Sequence, residues 1–333
     1  MKKKTIQDVA REAGVSITTV SRVINKNYPV KDSTRKRVEE VIDKLAFKPN
    51  LLAKGLIESS TKTIGILTPS IENLFFSEVI RGIDSIMKPL GFTSFLCHTE
   101  GCDKSELEMI NTLVNRQVDG IIMIDPRREN IESGFLEDLS CRLPLVLING
   151  YSKDVKCNYI LNDVRRGTLD ALDYLMESGC KKIAFLRGGH SFSYDIKESI
   201  YSDFVESRGL KKLILSIPDG NDLNTLNMAQ DEVSKAISSS NPPDGILCCN
   251  DWMAVGALNA TKSLKLESLA RVKIIGFDNT VISQITDPKL TTVDQQMSRL
   301  GTEAAKRLKT MIKEDDSDNQ KIYLETKLII RES

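Results

Sequence analysis

No stretch of this 333-residue chain approaches the roughly 18 consecutive apolar residues that a membrane helix needs, so a spanning segment is excluded. Lys2, Lys3 and Lys4 are followed by no apolar signal segment, which leaves secretion without support and makes the cytoplasm the expected setting. Catalytic fingerprints are missing too: there is no G-x-x-x-x-G-K-[ST], no G-x-G-x-x-G after a strand, no G-x-S-x-G and no H-E-x-x-H. The seven cysteines (Cys97, Cys102, Cys141, Cys157, Cys180, Cys248, Cys249) contain no C-x-x-C pair, and their odd number argues against a full disulfide framework. Reduced thiols are expected, with Cys248 and Cys249 in an apolar run that reads as a buried strand. The two histidines, His98 and His190, read as ordinary loop or surface residues. No metal, cofactor or enzymatic activity is implied. The one catalytic rival is a carboxylate pair acting on a glycoside.

Net charge is also absent, at 46 basic against 46 acidic residues, but the balance is local. Residues 1–60 hold 13 Lys or Arg against 7 Asp or Glu, leaving 33 against 39 in the rest. A basic head on an acidic body suits a polyanion gripped at one end, and nucleic acid is the candidate.

That head patterns as three short helices. Ile6, Val9, Ala10 and Ala13 form an apolar stripe, and Thr5 with Asp8 has capping-box spacing. Gly14 breaks the helix. Ser16 is placed to cap a second helix burying Val20, Val23 and Ile24, which leaves Ile17, Thr18 and Arg22 facing outward. A third, from about Ser33, carries Val38, Val41, Ile42 and Leu45. This is the pattern of a helix-turn-helix. Arg22 can fork onto guanine O6 and N7, and Ile17 and Thr18 can touch thymine methyls or other base edges. Thr19, Ser21 and Asn25 suit phosphates, and Thr5 and Ser16 at the helix starts complete the candidate DNA set. The competing reading of Arg22 is a solvated surface arginine.

After Thr61 short apolar runs at 64–67, 120–124, 145–148, 183–186, 245–249 and 272–275 alternate with segments of helical spacing at 76–87, 105–115, 169–176 and 254–264. Runs without polar alternation fit strands buried on both faces, as in parallel sheets covered by helices. The body is therefore α/β, and periodicity alone does not divide it.

DVA at 8–10, AGVS at 13–16, TVSRVIN at 19–25 and PNxxAKxL at 49–56 resemble the N-terminus of the LacI/GalR family of bacterial transcription regulators. SIENLFF at 70–76, VDGII at 118–122, NDxMAxG at 250–256, IGFDN at 275–279 and PxLTTVxQ at 288–295 are similar to the family's later signatures in the same order. The resemblance implies an all-α helix-turn-helix domain at 1–47, a hinge helix and linker at 48–61, and a two-lobed periplasmic-binding-protein-like core at 62–333. The chain would cross between lobes near 160–163, 291–294 and 322, and its last strand would run over 323–330. With no heptad extension after it, a homodimer is expected rather than a tail-mediated tetramer.

In the hinge the resemblance implies that Leu56 wedges into the minor groove, with Asn50, Ala53 and Lys54 also touching DNA; linker packing is the alternative. A segment this short, with Gly55 inside it, is expected to be coil until it meets the operator. In the core the resemblance points to Ser70, Asn73, Phe76, Asp125, Asn149, Tyr194, Asn250, Asp278 and Gln295 as effector contacts. Carboxamides and carboxylates opposite an aromatic face suit a sugar or sugar derivative, though caps and turns explain such residues equally well. Asp251 reads as a cap, and the lone Trp252 as packing more than stacking on a ligand. One departure stands out: where many relatives clamp the effector with arginine, this chain has Ile200, and Tyr194 replaces a second arginine upstream. Arg187 or His190 would have to substitute, or the ligand is unusual or absent. The expected function is a DNA-binding regulator, a repressor by analogy, controlled by a small molecule; an activator or a solute-binding protein of the same fold remains open.

Overall fold

The computed structural model describes residues 4–25, 28–47, 60–150, 155–189, 191–263, 272–314 and 318–333. Two compact units are present, Met1–Thr61 and Lys62–Ser333.

In the first unit, helix α1 (Ile6–Ala13) begins with a reciprocal cap. The Asp8 N–H donates to Thr5 Oγ1 at 3.3 Å and the Thr5 N–H to Asp8 Oδ2 at 2.9 Å, which satisfies two of the donors that a helix start leaves open. Gly14 ends α1 at φ 62°, a left-handed conformation in which only glycine carries no Cβ penalty. Helix α2 (Ile17–Asn25) starts from Ser16, whose Oγ accepts the Thr19 N–H at 3.1 Å, and α3 is Asp32–Lys44. Val9, Ala10, Ala13, Val20, Val23 and Val38 form the core with Phe47, which the sequence reading missed. Ile24, Val41, Ile42 and Leu45 pack only partly buried at its edge.

The second unit holds two six-stranded sheets. The strands are β1 (Thr63–Thr68), β2 (Thr93–His98), β3 (Gly120–Ile124), β4 (Leu145–Ile148), β5 (Asn158–Asn162), β6 (Ile183–Arg187), β7 (Ile214–Ser216), β8 (Gly245–Cys248), β9 (Lys273–Asp278), β10 (Thr291–Asp294), β11 (Lys321–Leu324) and β12 (Lys327–Ile329). The first lobe is ordered β11-β5-β4-β3-β1-β2, all parallel. The second is β12-β10-β9-β8-β6-β7, parallel except where β12 runs against β10. Strands β3 and β4 are wholly buried, as unbroken apolar runs between helical layers require. Each fully buried Ile or Leu there contributes about 1.5–3 kcal/mol of transfer free energy.

The chain passes between lobes after β5, after β10 and between β11 and β12. The last passage corrects the single strand read at 323–330. Glu325 and Thr326 carry the chain from one sheet to the other, with Thr326 Oγ1 donating to the Asp163 carbonyl at 2.9 Å beside the first crossing. A change of sheet leaves no mark in apolar periodicity. Helices Leu74–Met87 and Met297–Glu314 cross so closely that a Cβ on Gly82 would lie 2.1 Å from the Ser298 carbonyl oxygen, and one on Gly301 2.0 Å from that of Val79. Both glycines are there for approach distance. All seven cysteines are free thiols, with Cys248 and Cys249 buried. Among the described residues no helix is long and apolar enough to cross a membrane, and no group of three or more His, Cys, Asp or Glu could hold a metal ion.

Candidate functional site

On the head, the two sides of α2 separate by burial. Val20 and Val23 face the core, while Ile17, Thr18 and Arg22 are exposed, Ile17 at 47%. Arg22 lies over the Tyr28 ring at 5.0 Å, a cation–π contact that holds the guanidinium on the outer face. Thr5 and Ser16 use their hydroxyls as caps, and Ser16 Oγ also bonds Thr19 Oγ1 at 2.9 Å. Asn25 Nδ2 donates to Ser21 Oγ at 3.3 Å. Asn50, Ala53, Lys54 and Leu56 lie outside the described residues.

In the core, every strand that ends at the cleft delivers a side chain there, as open parallel sheets do. Asp125 follows β3 at φ 51°, Asn149 follows β4 at φ 62°, and Asp278 closes β9 at φ 115°. Left-handed backbone in non-glycine residues is a strained arrangement, least so for Asp and Asn, and here it recurs at three strand ends around one cavity. That cavity, of about 30 Å³, is lined by Asn73, Phe76, Asp125, Asn149, Tyr194, Asn250, Asp278 and Gln295, together with Phe75, Ser191, Ser193, Lys197, Asn221 and Cys249. Eight of the nine sequence-predicted residues therefore meet in one place. The ninth, Ser70, is absent from the lining: its Oγ donates to the Asn221 carbonyl at 2.6 Å.

A cavity this size has room for about one water, because the lobes are laced together across it. Asn73 Nδ2 donates to Asn221 Oδ1 at 2.9 Å, the Leu223 N–H to Glu72 Oε2 at 2.8 Å, and Ser191 Oγ to Asp125 Oδ2 at 3.3 Å. Within the second lobe Asn250 Nδ2 donates to Tyr194 Oη at 2.9 Å and to the Gly220 carbonyl at 2.6 Å; Gln295 Nε2 donates to Asp278 Oδ1 at 2.6 Å. Asp125, Ser191 and Asn221 also border an adjoining groove of about 590 Å³, a volume in the range of small-molecule sites.

Six lining residues escaped the sequence reading, and of these Asn221 and Lys197 bear most on a ligand. Lys197 is 2% exposed, donates from Nζ to the Cys249 carbonyl at 2.9 Å and stands 3.8 Å from the Phe277 ring centroid. Its signal was available: with Tyr194, Tyr201 and Phe204 it occupies the buried stripe of helix Phe192–Ser207, where a charge is out of place. Burial pushes the lysine down, opposed by the negative charges of Asp278 and Asp125. Burial likewise pushes Asp125 up, and pushes Asp278 well up with help from Asp251, while Lys197 restrains both. Asn221 sits in a loop whose Asp-Gly-Asn-Asp composition reads only as a turn.

Other expectations resolve differently. Arg187 is already engaged: its guanidinium pairs with Glu198 and, at 2.8 Å, with Asp195, and it lines the larger groove and not the small cavity. His190 lies outside the described residues, and His98 Nε2 is 3.1 Å from the Pro69 carbonyl. Asp251 is structural, accepting from the Thr280 N–H and hydroxyl and from Thr292 Oγ1. Trp252 borders neither cavity.

A helix-turn-helix unit with an exposed second helix and a two-lobed α/β core with polar strand ends meeting in a cleft define a DNA-binding transcriptional regulator of the binding-protein-like type. Residues 5–50 match the bacterial regulatory proteins of the lacI family, and residues 172–333 match the periplasmic binding protein-like domain. Catabolite control protein A of Priestia megaterium is 32% identical over 332 residues, covering 99% of this chain and 98% of that protein. The HTH-type transcriptional repressor PurR of Vibrio vulnificus (strain CMCP6) is 33% identical over 334 residues, with 99% and 98% covered. The crystal structure of the lac repressor dimer bound to operator and the anti-inducer ONPF superposes with a TM-score of 0.84 at 25% identity, over 99% of this chain and 98% of that one. The chain belongs to the lacI family of bacterial regulatory proteins.

Proposed function

We propose that this regulator acts in the cytoplasm as a homodimeric, non-enzymatic repressor whose operator affinity is set by a small polyhydroxylated effector in the interlobe cleft. The observation that carries the reading is the convergence of Asn73, Phe76, Asp125, Asn149, Tyr194, Asn250, Asp278 and Gln295 on one cavity between lobes that hydrogen bonds hold together. A ligand entering there breaks or replaces those bonds, so its binding free energy is coupled to lobe arrangement. Repression is the reading favoured by the names of the relatives and by the operator-bound lac repressor dimer. The homodimer has a further support: Phe95 and Leu96 are 40% and 50% exposed on β2, an edge strand that a second copy would cover. On the head, Arg22, Ile17 and Thr18 read bases, while Thr5, Ser16, Thr19, Ser21 and Asn25 fix the backbone register. The test is selection from random duplexes with the full chain. A pseudo-palindrome of two half-sites is the expected product; enrichment of a single half-site, or of none, contradicts the reading.

A further inference from the structure

We propose that Lys197 is the ligand-facing cation of the cleft, standing in for the arginines this chain lacks, and that with Asp125 it selects an uncharged polyhydroxylated ligand over a phosphorylated or otherwise anionic one. The inference rests on the effector reading above and narrows its ligand class.

Most polar groups around the cavity already serve one another. Asn250 spends its amide on Tyr194 and Gly220 and its Oδ1 on the Met253 N–H. Gln295 bridges Asn162 and Asp278, and Asn73 caps its own helix through Phe75. Two buried, charge-bearing groups among the described lining residues keep unspent capacity. Asp125 Oδ1 is buried with no hydrogen-bond partner, and such an acceptor is costly until a donor arrives. Lys197 has three N–H donors and spends one on the Cys249 carbonyl, with the Phe277 and Tyr194 rings beside it. Both side chains line the same cavity. A hydroxyl is the group that satisfies both, because it donates to a carboxylate while accepting from an ammonium. A sugar offers several, and Phe75 and Phe76 supply apolar surface for its C–H faces.

An anion fares worse. It would sit beside Asp125 and Asp278 with Lys197 already shared between them, and a buried charge without its own partner is expensive. Each arginine described in the adjoining groove already has a carboxylate partner. Arg127 pairs with Glu129 at 3.4 Å, Arg128 with Glu132 at 3.7 Å, and Arg187 with Asp195 and Glu198. Among the described residues, six carboxylates border that groove against three arginines. The helix that elsewhere would present an arginine at position 200 presents buried Ile200 here, with its cation one turn earlier at Lys197.

The test measures thermal midpoints of the full chain with D-glucose, D-ribose and cellobiose against D-glucose 6-phosphate, D-ribose 5-phosphate and hypoxanthine, followed by calorimetric titration of any binder. A neutral sugar is expected to raise the midpoint and its phosphate ester is not, a comparison that needs no variant. In Lys197→Met, which keeps the side-chain length, that sugar is expected to bind at least about tenfold more weakly, the scale of one charge-assisted hydrogen bond. Lys197→Arg is expected to recover part of the loss. Unchanged sugar affinity in Lys197→Met overturns the role of the lysine. A phosphate ester binding where the neutral sugars do not overturns the ligand class and leaves the polyhydroxylated-effector reading standing; hypoxanthine binding alone overturns both. No response to any probe counts against both.

Discussion

Glu106 gives the core a pH dependence that can be worked from its surroundings. The residue is 3% exposed on helix Asp103–Asn115, and its carboxylate accepts the Arg127 N–H at 3.2 and 3.3 Å and Asn130 Nδ2 at 2.8 Å. It thereby anchors the loop that begins with Asp125 at the cleft. Burial raises its pKa from 4.5 to about 7, against the lowering by Asn130 and Arg127. The folded chain thus holds a proton that the unfolded chain releases, so the contribution is fully present below about pH 4.5 and is lost as pH rises through 7. At about 1.4 kcal/mol per pKa unit, the interval from 4.5 to about 7 corresponds to about 3 kcal/mol. Glu106→Gln does not titrate there and has one acceptor oxygen for two donors, so it starts less stable at low pH and lacks this slope. Urea unfolding followed by circular dichroism at pH 4.5, 6 and 8 compares the two proteins. Asp125, Asp251 and Asp278 are raised in both and cancel in the difference. The stability gap is expected to shrink by about 3 kcal/mol with rising pH. A constant gap, or one that widens, refutes the reasoning.

Arg22→Ala is expected to relax preference at one base pair per half-site by about 1–3 kcal/mol while leaving ligand affinity intact, measured by competition with operators changed one position at a time; unaltered preference everywhere removes Arg22 from the reading face. Gly301→Ala places a Cβ 2.0 Å from the Val79 carbonyl oxygen, so the two helices must part. A net loss of about 2 kcal/mol is expected after the gain of about 1 kcal/mol in helix propensity, and an unchanged thermal midpoint would show that the crossing yields freely.

The head was legible nearly residue by residue, because caps, a breaking glycine and a 3.6-residue stripe are local signals. Thr5, Gly14, Val20 and Val23 sit as their chemistry dictates. Phe47 escaped because it follows the periodic segment and reaches the core from outside it. In the body, apolar runs revealed β1, β3, β4, β6, β8 and β9 but not β5 and β10, which polar residues bound, nor β2, whose residues are largely exposed, nor the short β7. The cleft residues were recognisable through family resemblance, since a polar residue after a strand is equally a cap. What composition hides is pairing. Arg187 looked available until Glu198 and Asp195 were placed beside it, and Lys197 went unread although it lies on a buried stripe.

Coupling between cleft and operator is decided at Asp278, which lines the cavity far in sequence from the head. Operator affinity of the full chain is titrated by fluorescence anisotropy with and without a saturating sugar that binds the wild type, and again in Asp278→Ala. The sugar is expected to change wild-type affinity by about 5- to 150-fold, and the variant to bind operator normally without sugar but no longer to respond. Wild-type operator affinity that is indifferent to a bound sugar would contradict the coupling.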